Sequence, residues 1–178
     1  EELDTLDDQG DVDLLVDPDQ NQPFHALMAQ LNFVRLPSWG HAPHQFFVAY
    51  DEASDRWLKL DVVTSLMYGK PVPTLLAPLA DGVLARRQPC GPTYVPAPED
   101  ELVTLLLHCL LDKRAFAPHR LARVQALRHE VANQVLLNTL LRTVWAADMT
   151  WPRLAALIDS ASWQALLQQA GPAAQQLA

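Results

Sequence analysis

Residues 10–16 read Gly-Asp-Val-Asp-Leu-Leu-Val, and the turn-forming triplet Asp-Pro-Asp follows directly. A short aliphatic run bounded by turn formers is typical of a buried β-strand. Successive side chains of a strand point to opposite faces, so Asp11 and Asp13 share one face while Val12 and Leu14 share the other. Two carboxylates side by side repel each other unless a cation lies between them. The stretch therefore predicts a strand that bears a cation site.

A second strand with a polar face is predicted where residues 57–63 read Trp-Leu-Lys-Leu-Asp-Val-Val. Alternation places Trp57, Lys59 and Asp61 on one face of this strand. A short polar connection separates it from another strand candidate at residues 44–50. Two strands joined in this way predict an antiparallel hairpin.

Three carboxylates would meet if the strand of Asp61 lies beside the strand of Asp11 and Asp13. Carboxylate oxygens are the ligands that Mg²⁺ and Mn²⁺ prefer in proteins. We therefore expect these three aspartates to form an oxygen-rich cluster that binds Mg²⁺ or Mn²⁺.

The remaining segments predict one helix beside the sheet and a helical second half. Apolar residues recur at three- and four-residue steps after Asn21, which predicts an amphipathic helix. The proline-rich stretch 69–98 predicts an extended crossover, and the apolar periodicity that follows predicts helices. The expected fold class is α/β (α+β), with a small mixed sheet and a packed helix, followed by a C-terminal helical bundle. The expected domains are residues 1–98 and 99–178.

Composition argues against several classes of partner. The 178 residues have a formal charge of −8, whereas non-specific binding to nucleic acid or an anionic membrane requires Lys and Arg to neutralise phosphates. Cys90 and Cys109 lack the spacing of a disulfide framework or a zinc site. No apolar run reaches the length of a membrane span, and the first residues lack the features of a signal peptide. We expect a cytoplasmic protein with neither a membrane nor a nucleic acid as its partner.

Residues 10–16, the helix after them and the strand at 57–63 together resemble the nucleotidyltransferase superfamily of the DNA polymerase beta type. The resemblance is strongest to uncharacterised bacterial nucleotidyltransferase family proteins, in which the run Leu-Leu-Leu-His-Cys-Leu-Leu-Asp-Lys at residues 105–113 also fits. It covers about residues 10–130 and implies a nucleotidyltransferase-like α/β core.

The resemblance implies a metal-dependent enzyme that transfers a nucleoside monophosphate from a nucleoside triphosphate to an unknown acceptor. In that superfamily the paired carboxylates of the first strand bind both metal ions, a role that would fall to Asp11 and Asp13. The third carboxylate binds one ion and helps to activate the attacking hydroxyl, and this catalytic role would fall to Asp61.

One part of the superfamily pattern is absent from the given sequence. The pattern has a Gly-Ser or Gly-Gly turn before the aspartate pair, where backbone amides and the hydroxyl hold the nucleotide phosphates. Residues 1–9 contain no such turn. Either the chain is a fragment that starts after the turn, or the phosphate cradle is missing and catalysis is in question.

Two lysines are candidates for binding the nucleotide. Lys59, on the predicted face of Asp61, would neutralise a triphosphate, although an ion pair with one of the aspartates is the alternative. Lys113 would contact phosphates from the end of a predicted helix. On that helix His108 and Asp112 share a face, and we interpret them as an internal hydrogen bond, with a metal or proton-relay pair as the alternative.

Four further residues have both a functional and an ordinary interpretation. Arg86 and Arg87 would reach phosphate from the crossover, although paired surface arginines usually have no such role. His41 and His44 flank Pro43 in a loop and are candidates for lining a substrate pocket.

Three functional hypotheses remain open at this point. The first is the active transferase, and the second is a catalytically inactive nucleotide-binding or regulatory module that kept the fold. The third is an interaction protein whose helical half docks onto a partner, including a second copy in a homo-oligomer.

Overall fold

A computed structural model of the chain describes residues 12–37, 44–69, 75–145 and 148–166. The fold is mixed α+β with small sheets. It divides into two compact units between Ser65 and Leu66, whereas the sequence predicted a division after Pro98. No helix within the described ranges combines the length and the apolar composition that a bilayer crossing requires.

The first unit contains a four-stranded mixed sheet in the order β1-β4-β3-β2. Strand β1 pairs in parallel with β4, and β3 pairs antiparallel with each of its neighbours, β2 and β4. The hairpin of β3 and β4 confirms the pairing predicted from the polar connection between them. The strand bounds are Val12–Leu15 for β1, Val34–Arg35 for β2, Gln45–Asp51 for β3 and Arg56–Val63 for β4.

One helix, α1 (Asn21–Gln30), packs on this sheet. A 3₁₀ turn precedes it, and Asp17 caps that turn by accepting a hydrogen bond from the backbone N–H of Asp19 at 2.9 Å. Met28 of α1 is buried against the sheet residues Phe47 and Val62. Five partly buried side chains complete this core, namely Leu14, Val16, Phe24, Phe33 and Leu60.

Strand alternation fixes what lies on the other face of the sheet. Because Leu14 and Val62 belong to the α1 core, Asp13 and Asp61 point away from α1. We call this side of the sheet, defined by Asp13 and Asp61, the carboxylate face.

The second unit begins with two small antiparallel ribbons where the sequence predicted an extended crossover, and that prediction is wrong. A proline in a strand lacks the backbone N–H that would bond to a neighbouring strand, so it is tolerated in an edge strand, where that side has no neighbour. A two-stranded ribbon consists only of edge strands, so Pro89 fits within one. The elements are β5 (Leu66–Tyr68), β6 (Leu75–Ala77), the helix α2 (Ala80–Arg86), β7 (Gln88–Cys90) and β8 (Thr93–Val95).

Four longer helices follow in the described part of the second unit, with α3 packed on α4 and α5, and α6 packed on the same two helices. The first of the helices predicted after Pro98 is an α-helix followed by a π-helical turn, His108–Lys113. Arg114 ends the turn in the left-handed region at φ 51°. The α-helices are α3 (Pro98–Leu107), α4 (Pro118–Glu130), α5 (Gln134–Val144) and α6 (Trp151–Asp159).

Two acidic side chains at the start of α3 form bidentate ion pairs with arginines. Asp100 accepts from Nε and Nη2 of Arg86 at 2.8 and 2.7 Å. Glu101 accepts from Nε and Nη2 of Arg123, both at 2.6 Å. These fork-shaped contacts raise the pKa of each arginine above its ordinary value. The acidic first turn therefore connects α3 to α2 and α4, in addition to its favourable interaction with the helix dipole.

The third acid, Glu99, caps the start of the segment that leads into α5. Its carboxylate accepts hydrogen bonds from the backbone N–H groups of Ala132 and Asn133 at 3.0 and 2.6 Å. Only 6 % of Glu99 is exposed. A buried carboxylate with two backbone donors holds this connection in place.

We predict that Asp100→Asn lowers the free energy of unfolding by about 2 kcal/mol, because the buried carboxylate would no longer balance the charge of Arg86. Urea unfolding of the full chain, followed by far-UV circular dichroism, measures the change. The control is Asp148→Asn, since Asp148 pairs with Arg153 in solvent and its loss should cost under about 1 kcal/mol. Equal effects of the two substitutions would contradict the structural role assigned to Asp100.

Candidate functional site

The parallel pairing of β1 and β4 sets Asp13 and Asp61 side by side. They are direct register partners, and neighbouring strands lie about 4.8 Å apart. Both side chains therefore project from adjacent positions of the carboxylate face. Asp13 is exposed, whereas the side chain of Asp61 is 13 % exposed. Asp11 lies outside the described residues, so its place in the predicted cluster stays a prediction.

His44 contacts the carboxylate of Asp61 directly. Its Nδ1 atom lies 2.8 Å from Oδ1 and 2.9 Å from Oδ2. An ionised carboxylate only accepts hydrogen bonds, so the Nδ1–H group of the imidazole is the donor. The imidazole also stacks on Phe46, with ring centroids 6.1 Å apart and an interplanar angle of 13°. His44 thus holds Asp61 in one orientation.

The partner of His44 was not predicted, although the sequence contains the signal for it. Gln45 pairs with Val62 in the hairpin, so continuing the ladder by one position places His44 opposite Val63. Residues opposite each other share a face of the sheet, and Val63 shares its face with Asp61. Counting the residue pairs back from the polar connection therefore predicts that His44 lies on the same face of the sheet as Asp61.

Lys59 lies on the carboxylate face two residues before Asp61, as the alternation predicted. Its ammonium group is 5.0 Å from the centroid of the Phe46 ring, and Phe46 is the register partner of Asp61. A cation in this position contributes positive charge next to the carboxylates. Lys113 lies in the other compact unit, exposed at the end of the π-helical turn.

The other candidate residues have mainly structural partners. Arg86 binds Asp100 as described above. His108 Nδ1 lies 3.0 Å from Asp112, which confirms the interpretation as an internal hydrogen bond. Asp112 also accepts from the backbone N–H of Gly69 at 2.6 Å, so it ties the π-helical turn to the end of β5. Arg87 lies 5.0 Å from the ring of Tyr94.

Burial disfavours nucleophilic chemistry at two further side chains. Cys109 is fully buried, and burial raises the pKa of its thiol. Burial also raises the pKa of Tyr68, and the nearby charge of Asp112 adds to the effect. Both groups are therefore protonated at neutral pH and belong to the packing of the second unit.

The carboxylate pair fits a divalent cation of the Mg²⁺ type. Within the described ranges, no group of three or more His, Cys, Asp or Glu side chains is arranged to hold a metal ion. Mg²⁺, however, is commonly held by one or two carboxylates and completes its coordination with water and substrate phosphates. Asp13 and Asp61 supply such a pair, and the contact with His44 orients one of them.

No protein-family model, no curated protein and no solved structure matches this chain.

We predict that His44 is in the Nδ1–H tautomer when neutral, because the carboxylate of Asp61 accepts from that nitrogen. Long-range ¹H–¹⁵N correlation spectra of the full chain distinguish the two tautomers. Asp61→Ala removes the acceptor and should release His44 from this tautomer. A spectrum of His44 that is unchanged by Asp61→Ala would show that the contact is not formed in solution. His119→Gln, which replaces an exposed histidine of α4, assists assignment and serves as a control.

Proposed function

We propose that this chain carries the metal-binding part of a nucleotidyltransferase, which transfers a nucleoside monophosphate from a nucleoside triphosphate to an acceptor hydroxyl or phosphate. The observation that supports the proposal most directly is the in-register pair of Asp13 and Asp61 on adjacent parallel strands. The resemblance requires these two aspartates to lie side by side, and from the sequence alone this depended on the strand order.

In this proposal Asp13 and Asp61 hold Mg²⁺ or Mn²⁺ together with Asp11. The bound cation would neutralise charge on the phosphates as the bond to pyrophosphate breaks. Asp61 would also accept the proton of the attacking acceptor group, and His44 would keep its carboxylate oriented. Lys59 would contribute further positive charge next to the phosphates.

A catalytically inactive nucleotide-binding module is the second candidate function. It requires only binding at the carboxylate pair, and no backbone amides that align the phosphates for reaction. The same carboxylate pair would then bind the metal–nucleotide complex without turnover. Release of pyrophosphate in the presence of candidate acceptors separates the two functions.

We predict that Asp13→Asn and Asp61→Asn each weaken the binding of Mn²⁺, and of ATP in its presence, by roughly 10-fold or more. Calorimetric titration of Mn²⁺ and then ATP into the full chain measures both affinities. The control is Asp19→Asn, since Asp19 lies exposed in the 3₁₀ turn before α1. Equal binding by wild type and both site variants, or binding by none of them, would remove the metal site from this chain.

We predict that His44→Ala lowers the affinity for Mn²⁺ by about 10-fold, because Asp61 loses the donor that orients it. His44→Asn should restore part of the affinity, since its amide can donate a hydrogen bond to a carboxylate. Electron paramagnetic resonance of bound Mn²⁺ gives the affinity and reports changes of coordination. If alanine and asparagine at this position behave alike, the hydrogen bond of His44 has no role in positioning the ligand.

A further inference from the structure

Beyond Lys59, the carboxylate face continues into a pair of exposed aromatic side chains. Tyr50 and Trp57 are direct register partners on β3 and β4. Their ring centroids lie 5.3 Å apart with an interplanar angle of 56°. Tyr50 is 46 % exposed and Trp57 is 72 % exposed. Strand alternation places both rings on the same face as Asp61.

The aromatic pair stands on an ordered hairpin. The hydroxyl of Tyr50 donates a hydrogen bond to Asp55 in the connection between the strands. Asp51 accepts from the backbone N–H of Ala53 at 3.3 Å and from the hydroxyl of Ser54. These contacts fix the turn and the Tyr50 ring against which the exposed Trp57 ring lies, so the faces of the two tilted rings are preformed, which lowers the entropy cost of binding a ring.

From Asp61 back to Trp57, the side chains on this face of β4 are a carboxylate, an ammonium group and an aromatic ring. Lys59 lies about 7 Å from Asp61 along the strand, and Trp57 lies about 13 Å from it. A nucleoside triphosphate has the same order of chemistry, with anionic phosphates that need cations at one end and a flat uncharged ring at the other. The strand therefore matches such a ligand in the order of its charged groups and its ring.

We propose that the Tyr50–Trp57 pair is the nucleobase-binding surface of this chain and that it favours purines, whose larger rings bury more area on an indole. The inference rests on the proposed function, because the phosphates must be anchored at Asp13 and Asp61 for the base to reach Trp57. Base stacking on aromatic side chains tolerates any base, so the preference is one of degree.

The test measures binding of ATP, CTP and inorganic tripolyphosphate to the full chain, each with Mn²⁺. Trp57→Ala should weaken ATP binding by roughly 5- to 100-fold, the range that corresponds to the loss of one base-stacking contact. Tripolyphosphate binding should not change, since it lacks a base. Trp57→Phe should retain most of the ATP affinity, and the fold-loss for CTP in Trp57→Ala should be smaller than for ATP.

Leu58→Ala is the matched control. Leu58 is the next residue of β4, is 42 % exposed and points to the opposite face, so its truncation should leave all three affinities unchanged. Loss of ATP and tripolyphosphate binding to the same extent in Trp57→Ala would overturn the base contact, because it would place the effect at the phosphate end or in the fold.

Two further outcomes separate this inference from the function on which it rests. If Asp61→Asn abolishes ATP binding but Trp57→Ala leaves it intact, the metal–nucleotide site stands and the base-binding surface is wrong; an acceptor ring then becomes the occupant to test. If the wild-type chain binds no triphosphate with Mn²⁺, or if Asp61→Asn binds it equally well, the proposed function fails and the base-binding surface fails with it.

Discussion

The parallel register of β1 and β4 is the constraint on which the candidate site depends. Leu14 pairs with Val62 in that register, and both side chains belong to the core beneath α1. A slip of one residue would turn the apolar side chains of β1 out of the core and bring Asp13 into it. Apolar packing on one face therefore fixes the positions of Asp13 and Asp61 on the other.

The same arrangement brings together groups that oppose each other. Two carboxylates on adjacent strands repel, and a protein keeps such a pair when other charges or a ligand compensate. Lys59 lies on the same face and provides part of that compensation, and His44 donates a hydrogen bond to Asp61. In the proposed function a divalent cation would add to it.

Local patterns in the sequence predicted the parts of the first unit, but tertiary packing determined how they combine. Period-two alternation was sufficient to place Lys59, Asp61 and Trp57 on one face, and the polar connection was sufficient for the hairpin. Neither pattern was sufficient to predict which strand pairs with β1, because a parallel pair is joined through a distant crossover that leaves no local signal. The ribbons within 66–98 were missed for a different reason, since their prolines lie in or beside short edge strands where they break no shared ladder.

Two groups of acidic side chains among the described residues differ in how their hydrogen-bond capacity is used. Asp100 and Glu101 each face the two-pronged donor of an arginine, which occupies both carboxylate oxygens and serves structure. At Asp61 one Nδ1–H group of His44 is shared between the two oxygens. A single shared proton leaves most of the carboxylate's lone pairs for other ligands. In the proposed function that difference, more than the number of acidic residues, would suit Asp61 to hold a cation, whereas Asp100 and Glu101 hold helices in place.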